Sequence, residues 1–318
     1  MRWTRPRLLA HLATASWQTR ARETQFEIYG AGISGLSLAW HLRERGFAVT
    51  VIDRRSKGGQ KIPLVNAGLN HTTRPLKDTI FLDAVNFVRS WYAQFEEWGE
   101  RVLLKNDEAY TIHSRRFLLR LKHALSLKGV VFKRVTQNSA QYIHADIRLV
   151  TRITVIATNE LSDVKLKSEW ASSKLGEAMY ADIGRRIEPQ MDEILSRIYL
   201  VPKFQANSKG DKFSARIGGW NYFSGHRLIT RDRHPLMGFA VKNFAEGYDA
   251  LFSRFQKNQH KVFEETFDLN HFQFTAMGYH AFSLAPYLAY HAAAIFAGER
   301  NEKSMFLCGR LSPIRFLK

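Results

Sequence analysis

The stretch FEIYGAGISGLSLAWHLRERGFAVTVID, residues 26–53, places a glycine-rich turn between two strand patterns and a helix pattern. Residues 26–29 are an apolar run that predicts a short strand. Residues 36–45 have the pattern of a helix that Gly46 ends, and residues 48–52 predict a second strand. A strand, a turn, a helix and a second strand in this order form a Rossmann βαβ unit, which indicates an α/β protein.

The turn itself has the spacing G-x-G-x-x-G, with Gly30, Gly32 and Gly35 as its glycines. The first glycine permits the tight turn, the second lets the backbone approach a pyrophosphate, and the third lets helix and strand pack closely. Asp53 follows the last glycine by 18 residues, where a carboxylate can bind a ribose hydroxyl. The stretch therefore predicts a dinucleotide site. The acid at Asp53 argues against a 2′-phosphate, although the basic Arg54 follows it.

Length and composition are those of an ordinary globular chain. Its 318 residues are 45% hydrophobic and 24% charged, which allows a large core. A net charge of +18 attracts polyanions such as nucleic acid, yet a generally basic proteome accounts for it equally well. The single cysteine, Cys308, excludes disulfide frameworks and multi-cysteine metal sites and fits a reducing, cytoplasmic location. No apolar stretch is long enough to span a bilayer.

The rest of the chain mixes helix and strand patterns. Helices are predicted at residues 77–98, 115–127, 244–256 and 277–297. Strands are predicted at residues 130–135, 152–157, 198–202 and 215–218, the first two as buried strands. Residues 54–75 contain several glycines and prolines and predict a long functional loop.

Residues 26–53 resemble the FAD-binding start of the D-amino-acid oxidase and glycine oxidase superfamily, and four later segments resemble that family in the same order. AGL at residues 67–69 matches its small-residue turn beside the flavin, and VVFKRV at residues 130–135 matches its strand beside the adenine. VIATN at residues 155–159 is similar to a strand end of the family. GYHAFSLAP at residues 278–286 resembles its closing G-x-x-G-x-x-x-A-P turn and helix.

This resemblance implies FAD as a non-covalent cofactor. The residues expected to bind it are Gly30, Ala31, Gly32, Ser34, Gly35, Asp53, Arg54, Gly68, Val135, Ala157, Gly278, Ala281, Phe282 and Ser283. In the closing turn Ala281 stands where the family has a glycine. The helix N-terminus there would stabilise negative charge on the reduced flavin.

The resemblance also implies a Rossmann-type FAD-binding domain with an interleaved α+β substrate domain. We predict that residues 24–159 and 276–318 form the FAD-binding domain and that residues 160–275 form the substrate domain. Residues 1–23 are predicted to be a basic N-terminal extension, because residues 1–22 carry arginines and no acid. An organelle transit peptide is the alternative for this segment.

Two stretches are most similar to one branch of the family, the FAD-dependent half of the bifunctional tRNA 5-methylaminomethyl-2-thiouridine biosynthesis enzyme. GHRLITRDRHPLMG at residues 225–238 is similar to G-x-R-x-x-T-x-D-x-x-P-x-x-G, and LSPIRF at residues 311–316 resembles the tail of that branch. The branch oxidatively removes a carboxymethyl group from a modified wobble uridine. The resemblance therefore implies oxidation of the C–N bond of a glycine-like secondary amine.

Two residues are predicted to act at the reaction centre. Arg227 is the expected anchor of a substrate carboxylate, because a guanidinium can form two parallel hydrogen bonds with it; a surface arginine is the alternative. His280 would line the flavin pocket, although a histidine at such a turn is more often structural. The histidines show no spacing typical of a metal site. Cys308 lies outside the T-x-D segment at residues 230–232, and it is expected to be a small core residue.

Three functions fit these patterns. The first is an amine-oxidising flavoenzyme that acts on tRNA, favoured by the tail and the net charge of +18. The second is a small-molecule amino-acid or glycine-type oxidase, whose positive charge is incidental. The third is an inactive flavin-binding remnant with a structural or interaction role, favoured by Ala281 and by a loop at residues 58–66 that departs from the family pattern.

Overall fold

The structure is a computed structural model of this chain. It describes residues 24–53, 64–68, 79–105, 109–134, 152–157, 171–181, 214–217, 220–242, 248–257, 262, 265–299 and 301–316. The predicted basic extension at residues 1–23, the predicted strand at residues 198–202 and the site residues Arg54 and Val135 lie outside this part.

The described elements are twelve strands, six helices and three turns of 3-10 helix. The strands are β1 (Gln25–Tyr29), β2 (Ala48–Asp53), β3 (Leu64–Gly68), β4 (Leu103–Lys105), β5 (Ala109–His113), β6 (Val131–Arg134), β7 (Arg152–Ile156), β8 (Ala171–Ala181), β9 (Ser214–Ile217), β10 (Trp220–Thr230), β11 (Leu236–Val241) and β12 (Phe267–Thr275). The helices are α1 (Ile33–Glu44), α2 (Thr79–Ala93), α3 (Ser114–Leu127), α4 (Tyr248–Lys257), α5 (Ala281–Phe296) and α6 (Glu302–Leu311). Turns of 3-10 helix lie at Glu96–Trp98, Gly278–His280 and Pro313–Phe316.

A six-stranded sheet in the order β6-β2-β1-β7-β12-β11 forms the centre of the fold. The β11–β12 pair is antiparallel, and the other neighbouring strands run parallel. The chain leaves β1 toward β2 and β6 on one side and returns to β7 and β12 on the other. This strand order is that of a Rossmann-type α/β fold, so the predicted fold class is confirmed.

Alternate residues of the central strands bury one face of this sheet. Phe26 and Ile28 of β1, Val51 of β2 and Val155 of β7 have no exposed surface. Their pairing puts Ile28 between Val51 and Val155 in one row. Together with α1 and α5, which contact each other, they form one hydrophobic core. Burial of apolar side chains in such rows is the main stabilising contribution of a parallel sheet covered by helices.

Helix α1 begins at Ile33, three residues before the predicted start. Gly32 is its N-cap in extended backbone, with φ −85° and ψ −176°, and the Gly32 carbonyl accepts a hydrogen bond from the Leu36 amide at 3.0 Å. The first helical turn is therefore built from the glycine motif itself. Apolar periodicity begins later, which is why the sequence pattern placed the helix start too late.

The helix predicted at residues 77–98 is α2, and an aromatic cluster is built on α2 and on Phe95, which lies between α2 and the following 3-10 turn. Trp91 and Tyr92 meet edge to face, with ring centroids 4.8 Å apart. Phe117 of α3 packs against Tyr92 at 5.3 Å and against Phe95 at 5.5 Å. This aromatic cluster joins α2 to α3, and edge-to-face pairs of this kind add to the stabilisation from burial.

Three sequence predictions about strands are wrong. The predicted loop at residues 54–75 contains β3, which pairs with β5 in the three-stranded sheet β3-β5-β4. The strand predicted as buried at residues 130–135 is β6, the edge strand at one side of the six-stranded order, and Val131 is 51% exposed. The long strands β8 and β10 are missing from the sequence prediction, whereas the strand predicted at residues 215–218 is β9, which forms a sheet with them.

The six-stranded sheet also reaches into the region predicted as the substrate domain. Strands β11 and β12 lie within residues 160–275, yet both pair into the sheet that contains β1. The predicted boundary after residue 275 therefore does not follow the sheet. The change from loops to the last long helix marks residue 275 in the sequence, but which strands become neighbours in a sheet depends on contacts between distant segments.

Candidate dinucleotide site

The turn between β1 and α1 is tight, as its glycines predicted. The Gly30 amide donates to the Ile52 carbonyl at 2.8 Å, and Gly30 has φ +114°, a conformation that residues with a side chain rarely adopt. A Cβ on Gly35 would lie 1.9 Å from the Gly30 carbonyl oxygen, so helix and strand approach too closely there for any other residue. Both positions require glycine for reasons internal to the protein.

Gly32 is different, because a Cβ built there would meet no atom of the described residues within 4 Å. Packing among the part of the chain that the structure describes therefore does not require a glycine here. No side chain caps the helix by hydrogen bonding at this position, and no acidic residue lies in the first turn of α1. Open space next to backbone amides at the positive end of a helix fits a pyrophosphate.

Asp53 at the end of β2 points its carboxylate into the same turn. Its Oδ2 atom accepts a hydrogen bond from the Ala31 amide at 2.8 Å. Asp53 is partly exposed, whereas Ala31 and Ser34 are buried. The carboxylate thus lies at the mouth of the turn, which fits the predicted contact with a ribose hydroxyl.

Ala157 lies next to the glycine turn across the sheet. Its amide donates to the Tyr29 carbonyl at 2.9 Å, directly before Gly30. The carboxyl ends of β1 and β7 are the point at which the strand order reverses. Ligands of open α/β sheets bind in the crevice at this reversal. The structure therefore brings together Ala157, Asp53 and the glycine turn at this crevice.

The segment predicted to close around the flavin forms the 3-10 turn Gly278–His280 and the first turn of α5. The N-cap residue of α5, His280, makes no capping hydrogen bond with its side chain, and the first turn of α5 has no acid. Phe282 and Ser283 are buried, while Gly278 and Ala281 are partly exposed. The start of α5 thus offers uncapped backbone amides at its positive end, which can stabilise an anion.

His280 packs against the aromatic core at this turn. Its ring meets Phe81 of α2 edge to face, with centroids 4.5 Å apart. This contact gives His280 a packing role, and its predicted role beside the flavin stays a prediction.

Tyr92 stabilises the start of α5 through a contact that the sequence did not predict. Pro286 lies inside α5 and has no N–H to donate to the Phe282 carbonyl, four residues earlier. The Tyr92 hydroxyl donates to that carbonyl instead, at 2.8 Å, and Tyr92 has no exposed surface. Burial raises the pKa of Tyr92 well above its usual value, so the hydroxyl keeps its proton.

Two other predicted site residues lie on strands near the start of α5. Strand β3, which ends at Gly68, contacts α5. Strand β10, which contains Arg227, contacts the turn Gly278–His280. Arg227 pairs with Lys174 of β8 in the antiparallel register. The backbone at Arg227 therefore belongs to a strand next to the closing turn.

The remaining predictions concern Cys308, metal binding and membrane-spanning helices. Cys308 is fully buried, which raises the pKa of its thiol well above the usual value and confirms its assignment to the core. Among the described residues, no group of His, Cys, Asp or Glu side chains could hold a metal ion. Across the same residues, no helix has both the length and the apolar character needed to cross a bilayer.

Residues 28–190 match the protein family described as FAD dependent oxidoreductase (DAO), which is about half of the chain. No curated protein matches the chain in sequence. The family match begins inside β1 and contains the glycine turn, Asp53 and Ala157.

Solved structures similar to this chain include glycine oxidase from Bacillus cereus, which is 14% identical with a TM-score of 0.50, over 88% of this chain and 97% of that one. Glycine oxidase from Geobacillus kaustophilus is 11% identical with a TM-score of 0.50, over 88% and 96%. A variant of NikD, an unusual amino acid oxidase essential for nikkomycin biosynthesis, is 14% identical with a TM-score of 0.50, over 88% and 95%. At these identities the likeness shows a shared fold.

Proposed function

Because the chain belongs to the DAO family of FAD-dependent oxidoreductases, we propose that it oxidises the C–N bond of a glycine-like amine that carries a carboxylate. FAD is the cofactor of the family, and the open space at Gly32 and the uncapped start of α1 fit its pyrophosphate. When bound, FAD would supply the hydride acceptor for oxidation at the carbon beside the amine nitrogen. The oxidised amine is an imine, which water hydrolyses.

One observation carries the substrate proposal: strand β10, with Arg227, contacts the turn Gly278–His280 at the start of α5. In our proposal Arg227 holds the substrate carboxylate through two parallel hydrogen bonds. The start of α5 supplies backbone amides toward the flavin, with Gly278, Ala281, Phe282 and Ser283 around it. Holding the reacting carbon close to the ring in one orientation is then the main contribution of the protein.

The names of the similar structures support this substrate class, since two are glycine oxidases and one is an amino acid oxidase. The FAD is proposed to be non-covalent, because the single cysteine, Cys308, lies fully buried in the core. The region around residues 160–275 is proposed to cover the substrate. Asp53, Arg54 and Val135 are proposed to bind the adenosine half of FAD.

The test is a spectrum of the purified protein, followed by anaerobic addition of glycine and of N-methylglycine. We expect the oxidised flavin band to bleach with one of these amines. Arg227→Lys should raise the KM for the carboxylate substrate by about tenfold or more while FAD binding stays unchanged, because the lysine loses the paired hydrogen bonds. Equal loss of FAD and substrate binding would contradict the role of Arg227. A flavin that no amine bleaches would favour the inactive remnant.

A second candidate substrate is the carboxymethylaminomethyl group of a tRNA wobble uridine. The net charge of +18 favours it, since phosphate contacts need basic residues. Retention of tRNA should then fall steeply with salt, because each phosphate contact releases counterions. Bleaching by modified tRNA but by neither small amine would select this substrate; no binding at low salt would remove it.

A further inference from the structure

The end of the described chain lies against the turn that joins β10 to β11. Arg315 Nε donates to Asp232 Oδ2 at 2.6 Å, and Arg315 Nη2 donates to Asp232 Oδ1 at 3.1 Å. The same Nη2 donates to the His234 carbonyl at 3.1 Å, and Nη1 donates to the Leu311 carbonyl at 2.5 Å. The Arg315 side chain is 10% exposed and the Asp232 side chain is 35% exposed, so this is a half-buried, two-pronged ion pair. The guanidinium also donates to three backbone carbonyls, those of His234, Leu311 and Ser312.

Asp232 also organises the turn on its own side. Its Oδ1 atom accepts from the His234 amide at 3.1 Å and lies 2.8 Å from the Thr230 hydroxyl. Burial alone would raise the pKa of Asp232, but the Arg315 guanidinium, with the Thr230 hydroxyl and the His234 amide, holds it below its ordinary value. The Asp232 carboxylate is therefore charged, and its hydrogen bonds hold the backbone at the point where β10 ends.

A small apolar cluster continues this contact toward the closing turn. Leu228, Leu236 and Ala276 are buried together, and Phe316 packs against them. Leu228 follows Arg227 on β10, whereas Ala276 lies just before the turn Gly278–His280. The tail residue next to Arg315 thus contacts both the strand that carries the proposed substrate anchor and the segment that leads to the proposed flavin contact.

We propose that Arg315 is a positioning residue of the substrate site: by holding Asp232 it fixes strand β10, and with it Arg227, against the turn Gly278–His280. The proposal rests on the proposed function. In this proposal Arg315 affects the reaction by keeping the bound substrate aligned with the reacting group, because a displacement of about 1 Å between them costs about a hundredfold in rate. Arg315 itself touches neither substrate nor FAD in this scheme.

The chain offers a matched control. Arg45 forms a two-pronged ion pair with Glu299, with Nε to Oε1 at 2.7 Å and Nη2 to Oε2 at 3.3 Å. The Arg45 side chain is 13% exposed, close to the value for Arg315. This pair joins the end of α1 to the segment after α5. Arg45→Met therefore removes the same chemistry without touching β10.

The first experiment needs no cofactor and measures amide hydrogen exchange in the FAD-free protein. Arg315→Met should speed exchange by about tenfold in peptides that cover residues 223–230 and 276–283, and leave residues 25–53 unchanged. Asp232→Asn, which keeps the shape of the side chain, should act on the same two peptides and serves if Arg315→Met fails to fold. Arg45→Met should leave both peptides as they are. Arg315→Met and Asp232→Asn are the two variants of the Arg315–Asp232 ion pair, here called the clamp. Unchanged exchange in residues 276–283 in both clamp variants would overturn the proposal.

The second experiment measures binding of glycolate, a carboxylate without an amine, by its effect on the flavin absorption band. Arg315→Met should weaken glycolate binding about tenfold. The FAD dissociation constant, followed by flavin fluorescence, should rise less than glycolate binding weakens, since the glycine turn after β1 lies three strands from β11, the strand that the tail contacts, and should stay in place. Equal effects of Arg315→Met and Arg45→Met on glycolate binding would overturn the proposal. A wild-type protein that takes up no FAD contradicts the proposed function instead, and the exchange measurement still decides whether the clamp exists.

Discussion

Tyr92→Phe should lower the free energy of unfolding by about 1–3 kcal/mol, the cost of leaving one buried backbone carbonyl without a donor. Pro286 removes the helical donor for the Phe282 carbonyl, and the Tyr92 hydroxyl replaces it at 2.8 Å. Because Tyr92 has no exposed surface, water cannot readily take over that hydrogen bond after the change. The loss of packing is small, since the ring itself remains.

Tyr110→Phe is the matched control for this change. Tyr110 is 2% exposed, and its hydroxyl donates to the carboxylate of Glu96, which is exposed. Water can solvate that carboxylate once the hydroxyl is gone. Tyr110→Phe should therefore destabilise the protein less than Tyr92→Phe, although both remove one hydroxyl from a buried tyrosine. Urea unfolding followed by tryptophan fluorescence measures both.

A double-mutant cycle with Pro286→Ala tests the cause. The new residue has an N–H that can donate to the Phe282 carbonyl, so the hydroxyl of Tyr92 becomes dispensable. We expect Tyr92→Phe to cost about 1 kcal/mol less in the Pro286→Ala background than in the wild type. If Tyr92→Phe cost the same in both backgrounds, the carbonyl without a helical donor would not be the reason for its effect.

Three further predictions concern other parts of the chain. Gly32→Ala should leave unfolding of the FAD-free protein nearly unchanged, because its methyl group enters open space at the start of α1. The same methyl group would occupy the space proposed for the pyrophosphate, so FAD binding should weaken about tenfold or more. Gly35→Ala should instead destabilise the FAD-free protein by about 2 kcal/mol or more, since its Cβ would lie 1.9 Å from a backbone oxygen. Arg233 has a left-handed backbone conformation with φ +61°, which is less favourable for a residue with a side chain than for glycine. Arg233→Gly should therefore raise the free energy of unfolding, measured by thermal unfolding, by about 1 kcal/mol. Arg231→Gly in the same turn should not raise it. Burial lowers the pKa of His291 to about 4, so as the pH falls the histidine takes up a proton in the unfolded state before it does so in the folded state. The free energy of unfolding should therefore fall by about 1.4 kcal/mol per pH unit as the pH drops from about 6.5 to about 4. His291→Gln should remove this contribution to the pH dependence of the free energy of unfolding.

The sequence was sufficient where the signal is local. The positive φ of Gly30, the close approach at Gly35 and the hydrogen bond from Ala31 to Asp53 all lie within one βαβ unit, whose order of elements is visible in the sequence. The family match over residues 28–190 and the parallel sheet confirm the α/β class and the FAD-dependent oxidoreductase family. The helix predicted at residues 115–127 is α3, Ser114–Leu127, because its apolar residues repeat at helical spacing.

Pairing between distant segments was not predictable in this way. β8 contains mostly small and polar residues, and it is a strand because all 11 of its residues pair with β10. β6 has the apolar residues of a buried strand, but its place at the edge of the six-stranded order exposes Val131. Tyr92 donates to a carbonyl 190 residues away, and its pattern in the sequence is that of any aromatic core residue.

The resemblance to a tRNA-modifying branch depends on two stretches, at residues 225–238 and 311–316, which lie apart in the sequence. In the structure Asp232 of the first and Arg315 of the second bind each other, and Leu228 and Phe316 lie in one cluster. A chain that keeps one of these stretches has a packing reason to keep the other, whatever its substrate. The presence of both stretches therefore counts as one piece of evidence rather than two, and that evidence concerns how strand β10 is held in place. Among the sequence observations, the choice between tRNA and a small amine then depends on the net charge of +18, which salt-dependent binding tests directly.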